Sequence, residues 1–216
     1  TERDVPDLVA KGLLQGAAHA LRIGPIEEHP WFATQQRLSF ERVGRIDPLD
    51  LAAYRASGGY KGPARALKLG PEATVNEVLE SGLRGRGGAA FPTGIKWQTV
   101  ARQRAGQKYV PCNPDEGDSG TFSDRMLMEG DPYALIEGMT IAGFAVGATR
   151  GFIYLRIEYP HAFKVLASAL STAREAGLLG DDVQGSGNSF DIEVRLGACA
   201  YICGEETSML ESLEGR

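Results

Sequence analysis

Two kinds of hydrophobic pattern alternate along the later part of the chain. Short apolar runs at residues 108–113, 152–157 and 190–196 are typical of buried strands. Longer segments with helical spacing, at 132–146 and 160–176, separate these runs. Parallel strands need long crossover connections, which are usually helices. The pattern therefore predicts an α/β fold: a Rossmann-like parallel sheet with flanking helices.

Further helices are predicted from their boundary residues. Thr74 and Glu77 match a capping box at the start of a helix that Gly82 ends. Helical patterns recur at 96–103 and 204–213. The last of these has no later strand to return to, so we expect the domain to continue past this sequence.

The first 72 residues follow a less regular pattern. Helical spacing at 8–21, at 49–56 and at 64–69 predicts short helices, the second with Asp47 as its N-cap and Pro48 at its first position. We expect residues 1–72 to form a mostly helical N-terminal segment, a linker from an upstream domain. Residues 73–216 are then the α/β domain, truncated at its C-terminal end.

Composition and charge exclude several classes of protein. The chain is 43% hydrophobic and 24% charged, as in ordinary globular proteins, and its net charge of −5 argues against a nucleic-acid partner. It has neither an apolar run of the ~20 residues that a membrane span needs nor a signal peptide, so we expect a cytoplasmic protein without membrane insertion. Its three cysteines and three histidines lack the spacing of metal ligands.

Glycine is abundant, at 28 of 216 residues, and one cluster of glycines lies in residues 82–97. Residues 85–90 match Gly-x-Gly-x-x-Gly/Ala but follow a predicted helix, whereas the dinucleotide fingerprint follows a strand. Such a loop brings backbone N–H groups close to an anion. Three basic side chains surround it: Arg84, Arg86 and Lys96. A phosphate-bearing or flavin-like ligand fits this segment; the alternative is a flexible surface loop with solvated arginines.

A second candidate segment, residues 111–122, leaves the end of a predicted strand, where open α/β sheets bind ligands. Asn113 offers a donor and an acceptor to a heterocycle. Asp115, Glu116 and Asp118 can accept hydrogen bonds from ribose hydroxyls. The alternatives are an acidic turn or a calcium loop, although the EF-hand spacing does not fit.

A third segment, residues 196–207, again joins a strand to a helix through small residues. Tyr201, Gly204 and the pair Glu205-Glu206 can face the same ligand. The alternative places both glutamates in the first turn of a helix, where the macrodipole favours acids. No cysteine here has a partner that would make it a nucleophile, so we expect no catalytic cysteine.

These motifs resemble a known family. Residues 85–97 (Gly-Arg-Gly-Gly-Ala-Ala-Phe-Pro-Thr-Gly-Ile-Lys-Trp), 112–116 (Cys-Asn-x-Asp-Glu) and 204–207 (Gly-Glu-Glu-Thr) are similar to the FMN- and NADH-binding subunit of respiratory complex I. The same module occurs in NAD-reducing hydrogenases and NAD-dependent formate dehydrogenases. The resemblance covers residues 38–216. The Ala89-Ala90-Phe91 loop and the lead-in at 47–60 look most like the beta subunit of molybdenum formate dehydrogenases.

The resemblance implies roles for individual residues. It assigns contacts with FMN to Gly85, Arg86, Gly87, Gly88, Lys96, Asn113, Asp115, Tyr201, Gly204 and Glu205. It assigns contacts with NAD to Phe91, which would stack on adenine, and to Glu116, Asp118 and Glu206. Two positions depart from the family pattern. Asp118-Ser119 replaces a common Glu-Pro, which leaves the preference for NAD over NADP less secure, and Ala90 replaces a common glycine, which requires a negative φ or costs strain.

The implied function is hydride transfer between NAD(H) and bound FMN, with single electrons passed to iron–sulfur clusters. The [4Fe–4S] ligands of the family lie beyond residue 216. The implied partners are a small thioredoxin-like [2Fe–2S] subunit and a larger electron-transfer subunit, such as the molybdenum-containing alpha subunit of formate dehydrogenase. The alternatives are the flavin subunit of complex I or of a hydrogenase and, from another class, a non-catalytic nucleotide-binding scaffold.

Overall fold

The computed structural model describes residues 1–198 and 200–216 and contains two compact units, Thr1–Ser39 and Phe40–Arg216. In the first unit, helix α1 (Val5–Ala10) and helix α2 (Pro30–Ala33) are short. The predicted helix over 8–21 is wrong beyond Ala10. Gly12 and Gly16 adopt left-handed conformations that interrupt the helical path.

The second unit is built on a three-stranded sheet. Strands β1 (Tyr109–Cys112), β2 (Arg150–Leu155) and β3 (Asp191–Leu196) lie side by side in sequence order, and both pairs are parallel. The α/β prediction is confirmed, with strand ends shifted by two residues at most. All three strands point their carboxyl ends to the same edge of the sheet.

Helices connect and flank the strands of the second unit. The helices 132–146 and 160–176 are confirmed, the second one residue shorter than predicted. An additional helix, which the pattern did not predict, follows β1. In chain order the helices are α3 (Leu51–Ala56), α4 (Lys61–Leu69), α5 (Pro71–Glu80), α6 (Thr93–Arg102), α7 (Ser123–Gly130), α8 (Pro132–Val146), α9 (Pro160–Glu175) and α10 (Glu206–Leu213).

The core lies between one face of the sheet and helices α8 and α9. Ile136 of α8, Leu166 of α9 and Ile153 of β2 have no exposed surface and belong to one apolar cluster. On the other face, Tyr154 packs with Cys203 and Met209 in a smaller cluster. The α9 crossover and α10 therefore cover opposite faces of β2.

Two predicted helix caps are wrong. Helix α3 begins after Asp50, whose Oδ1 accepts from the Ala53 N–H at 2.9 Å, while Asp47 accepts from the Leu49 N–H in a turn before the helix. Helix α5 begins at Pro71, so Thr74 lies inside it and its hydroxyl donates to the Gly70 carbonyl at 2.8 Å. A later aspartate therefore sets the start of α3, and a proline at the first helical position sets the start of α5.

Helices α3 and α4 pack with the sheet unit. Glu137 of α8 accepts hydrogen bonds from the Tyr54 hydroxyl and the Tyr60 N–H, both at 2.6 Å. Arg42 pairs with the buried Asp131 at 2.8 Å. The packing thus divides the chain after Ser39, whereas the hydrophobic pattern became regular only at residue 73.

None of the helices in the two described ranges combines the length and the apolar character that crossing a bilayer requires.

The approach of α5 to α6 leads to a stability prediction. A Cβ atom on Gly94 would lie 2.3 Å from the Leu79 Cα, a backbone atom that cannot move aside. We expect Gly94→Ala to destabilise the fold by about 1–3 kcal/mol, the usual cost of overpacking. Thermal and urea unfolding of the intact protein measure this.

The matched control is Gly138→Ala in α8, where an added Cβ would meet nothing within 4 Å. There we expect a gain of about 0.5–1 kcal/mol, because alanine favours a helix interior. Equal stability of the two variants would contradict the close approach at Gly94.

Candidate functional site

The three candidate segments meet beyond the carboxyl end of β1. They enclose a cleft of about 590 Å³, within the range of small-molecule sites. All three segments and the start of α7 contribute to its lining: Arg86, Gly87, Asn113, Asp115, Glu116, Gly117, Asp118, Thr121, Ser123, Asp124 and Tyr201. The position agrees with the rule that open α/β sheets bind ligands at the ends of their strands.

The glycine loop is closed at its base and open at its tip. At the base, the Gly85 N–H donates to the Phe91 carbonyl at 2.9 Å, and the Arg84 guanidinium donates to the Ala90 carbonyl at 3.0 Å. Between these bonds, the N–H groups of residues 86–90 donate to no acceptor in the described part of the chain. These consecutive free donors next to Arg86 provide an anion-binding surface.

Ala90 is one of the two positions that depart from the family pattern, where we expected either a negative φ or backbone strain. Its φ is +50°, in the left-handed region that glycine adopts at little cost. An alanine there costs roughly 1–2 kcal/mol. The loop therefore keeps the glycine-type conformation and carries strain, instead of relaxing to a negative φ.

Two contacts join the acidic loop, residues 113–121, to the third segment. The Asn113 side-chain amide donates to the Cys203 carbonyl at 2.7 Å, and its oxygen accepts from the Asp115 N–H at 3.1 Å. The Tyr201 ring lies on Gly117, where an added Cβ would be 2.8 Å from a ring carbon. Both edges of the Asn113 amide thus bond within the protein.

One ion pair joins the glycine loop to the third segment. Lys96 of α6 lies 3.7 Å from Glu206 of α10, and its ammonium lies 5.9 Å from the centre of the Phe91 ring. Both charged side chains are exposed, so the pair adds little to stability. It does bring together three residues that the resemblance selects, Phe91, Lys96 and Glu206.

Glu116 is buried at the N-terminus of α7. Its Oε1 accepts from the Ser123 hydroxyl at 3.0 Å and the Asp124 N–H at 3.1 Å, and its Oε2 accepts from the Tyr159 hydroxyl at 3.1 Å and the Arg125 N–H at 3.4 Å. Burial acts to raise the pKa of Glu116, but these hydrogen bonds outweigh it and hold the pKa below its usual value. The Glu116 carboxylate therefore caps the N-terminus of α7, although Glu116 itself is not part of that helix.

The acidic side of the cleft is crowded with carboxylates. Burial, with the nearby charge of Glu158, raises the pKa of Asp115. Burial, with the charge of Glu116, also raises the pKa of Asp124. The cleft thus has two chemically different walls: a basic glycine loop that offers N–H donors, and an acidic loop that offers oxygen acceptors.

Known proteins resemble this chain in sequence and in structure. The model of the Nuo51 FMN-binding domain matches residues 78–216. The chain belongs to the Nuo51 FMN-binding family.

Relatives and a solved structure extend that result. The chain is 51% identical over 182 residues to the NADP-reducing hydrogenase subunit HndC of Solidesulfovibrio fructosivorans, covering 84% of this chain and 37% of that one. It is 48% identical over 171 residues to an NADH-quinone oxidoreductase subunit of Escherichia coli, covering 78% and 38%. The crystal structure of an H2-reduced NAD+-reducing [NiFe]-hydrogenase aligns with a TM-score of 0.66 and 31% identity, over 100% of this chain and 34% of that one. The chain spans about two fifths of the length of these curated relatives.

The residues of the cleft fit the cofactor of the Nuo51 FMN-binding family. FMN carries a phosphate, a chain of hydroxyl groups and a flat ring with donor and acceptor edges. The free N–H groups of residues 86–90 and Arg86 match the anion, and carboxylate oxygens such as those of Asp115 match hydroxyl donors. A Cβ atom on Gly87 or Gly88 would meet no atom within 4 Å, so the loop tip has open space beside it.

The structure separates the predicted site residues into groups. Seven of them share the lining of the cleft: Arg86, Gly87, Asn113, Asp115, Glu116, Asp118 and Tyr201. Phe91, Lys96 and Glu206 lie close to one another and are not among the residues that line the cleft, and Gly85 closes the base of the loop. Gly204 ends the 3-10 turn Tyr201–Gly204. Glu205 caps α10, accepting from the Ser208 N–H at 3.0 Å, which agrees with the alternative interpretation of this acid.

The sequence patterns missed several residues of the site. Thr121, Ser123 and Asp124 line the cleft because α7 begins there, and Tyr159 contacts Glu116 from the loop after β2. The signal was present: Arg156, Glu158 and Tyr159 directly follow β2, whose carboxyl end lies beside that of β1.

The cap on α7 leads to a pH prediction. Since the pKa of Glu116 is lowered by folding, its contribution to stability is present above its usual value of 4.5 and is lost as pH falls through the folded pKa. Glu116→Gln lacks this contribution at every pH. We expect the stability difference from wild type to be largest near neutral pH and to shrink below pH ~4, measured by urea unfolding at both pH values.

Glu80→Gln, on the exposed end of α5, is the matched control and should stay close to wild type at both pH values. A Glu116→Gln difference that is equal at both pH values would rule out the capping role of the carboxylate.

Proposed function

We propose that this chain is the FMN-binding part of an NADH dehydrogenase (diaphorase) module. The observation that carries the proposal is the cleft in which the three segments meet, with free N–H donors beside Arg86 on one wall and carboxylates on the other. A protein of this kind exchanges a hydride between NAD(H) and the flavin and passes electrons on to iron–sulfur centres.

The cofactor and the protein side chains have different roles in this proposal. FMN, when bound, supplies the transfer of two electrons as a hydride and their release one at a time. The glycine loop and Arg86 bind its negative charge. Asp115 and Tyr201 offer an acceptor and a ring surface from the opposite side, and Asn113 keeps the acidic loop on the third segment.

We assign Phe91 and Asp118 to the binding of the dinucleotide. Phe91 exposes 49% of its surface, which leaves its ring open for stacking on adenine. Asp118 disfavours the additional phosphate of NADPH by like charge, so we propose NADH as the substrate. Because one relative is named as NADP-reducing, both dinucleotides belong in the test.

We further propose a molybdenum formate dehydrogenase as the electron partner, with a thioredoxin-like [2Fe–2S] subunit between. The support is the Ala89-Ala90-Phe91 loop and the lead-in at 47–60. Relatives named as parts of a hydrogenase and of a quinone oxidoreductase favour the alternatives. In the assembled complex, bleaching of the flavin by formate supports the first assignment, and bleaching by H2 instead overturns it.

An anaerobic titration with NADH tests the main proposal. We expect the visible flavin band of the intact protein, loaded with FMN, to bleach at stoichiometric NADH, with NADPH much less effective. A flavin that binds and stays oxidised would favour the non-catalytic scaffold. Failure to bind FMN at all would overturn the proposal.

A substitution at Phe91 distinguishes binding of the dinucleotide from binding of the flavin. Phe91→Ala should raise the KM for NADH by about tenfold, as expected for the loss of one aromatic stack worth ~1–1.5 kcal/mol, and leave the affinity for FMN unchanged. Phe163→Ala, a part-exposed phenylalanine on α9, is the control. Equal KM values in the two variants would remove Phe91 from the dinucleotide site.

A further inference from the structure

Residues that follow β2 form hydrogen bonds to the acidic loop. The Tyr159 hydroxyl donates to Oε2 of Glu116 at 3.1 Å. The Arg156 guanidinium donates to the backbone carbonyl of the same residue. One residue of the loop is thus fixed at its side chain and at its main chain by two groups only three positions apart in sequence.

Tyr159 is itself held tightly. It exposes 5% of its surface, and the guanidinium carbons of Arg125 and Arg156 lie 5.3 and 5.6 Å from its ring centre, within cation–π range. Burial, reinforced by the bond to Glu116, raises the pKa of Tyr159, so the hydroxyl stays protonated and remains a donor. Arg156 is fixed in turn by its ion pair with Glu158 at 3.1 Å.

The N-terminus of α7 depends on the position of Glu116. Phe122 occupies the N-cap position with a φ of +52° and offers no side-chain acceptor to the first N–H groups of the helix. Glu116 supplies that acceptor from six residues earlier in the chain. Any movement of Glu116 therefore moves both α7 and the neighbours of Glu116, Asp115 and Gly117, which line the cleft.

We propose that Tyr159 and Arg156 are positioning residues for the flavin site, acting through Glu116 to fix the acidic loop against the cleft. Neither residue is among those that line the cleft, so the role that we assign to both runs through Glu116. The inference rests on the proposed function, because it assumes that FMN is the ligand of the cleft.

Tyr159→Phe in the intact protein is the test, since phenylalanine keeps the ring between the two arginines and removes only the hydroxyl. We expect the Kd for FMN, measured by quenching of flavin fluorescence on the flavin-free protein, to rise about tenfold, the scale of one hydrogen bond to a charged group. The absorption spectrum of the bound flavin should shift. Arg156→Lys should give a smaller rise, since lysine keeps the charge but loses the planar fork.

A double-mutant cycle distinguishes positioning from a general structural role. In a Glu116→Gln background, Tyr159→Phe should change the Kd for FMN by less than twofold, because the group through which it acts is already altered. Tyr109→Phe is the matched control. It removes an exposed hydroxyl at the opposite end of β1 and should leave both the Kd and the spectrum as in wild type.

Each outcome decides something. A lower Tm of Tyr159→Phe with an unchanged Kd would show a structural role and overturn the inference. A tenfold effect that persists in the Glu116→Gln background would overturn the route through Glu116. Wild-type protein that does not bind FMN would overturn the proposed function, and the inference with it.

Discussion

The buried carboxylate of Glu116 is the interaction on which the cleft depends. It satisfies the N-terminus of α7, which has no cap of its own, and it accepts from Tyr159 in the next loop. A buried charge is tolerated only where hydrogen bonds replace its lost water, and here four donors do so. One side chain therefore links the loops after two neighbouring strands, and the lining of the cleft takes its position from that link.

Parallel pairing explains why the site lies where it does and why much of it could be predicted. Strands with a common direction bring their carboxyl ends together, so the loops after β1 and β3 had to meet the same edge. The short apolar runs predicted the strands, and the long apolar segment with helical spacing predicted α8. The glycine loop was recognisable from its composition and motif, whereas the contribution of the start of α7 to the cleft was not.

What the patterns could not predict depends on contacts between distant residues or on competing local signals. The bond from Asn113 to the Cys203 carbonyl spans 90 positions, and the bond from Tyr159 to Glu116 spans 43. No local period encodes such pairs. Helix α7 was missed because its cap comes from the acidic loop instead of from Phe122. At Asp47 and Thr74, a residue type common at caps was present, but a later aspartate or a proline set the start.

Two contacts that join the third segment to its neighbours differ in physical kind, and this difference has a consequence in solution. Asn113 holds the acidic loop through a neutral hydrogen bond, which dissolved ions affect little. Lys96 of α6 and Glu206 of the third segment form an exposed charge pair, which ions screen over a Debye length of about 10 Å at 0.1 M. Raising the ionic strength therefore weakens the attraction between Lys96 and Glu206, while the hydrogen bond from Asn113 to the Cys203 carbonyl is little affected.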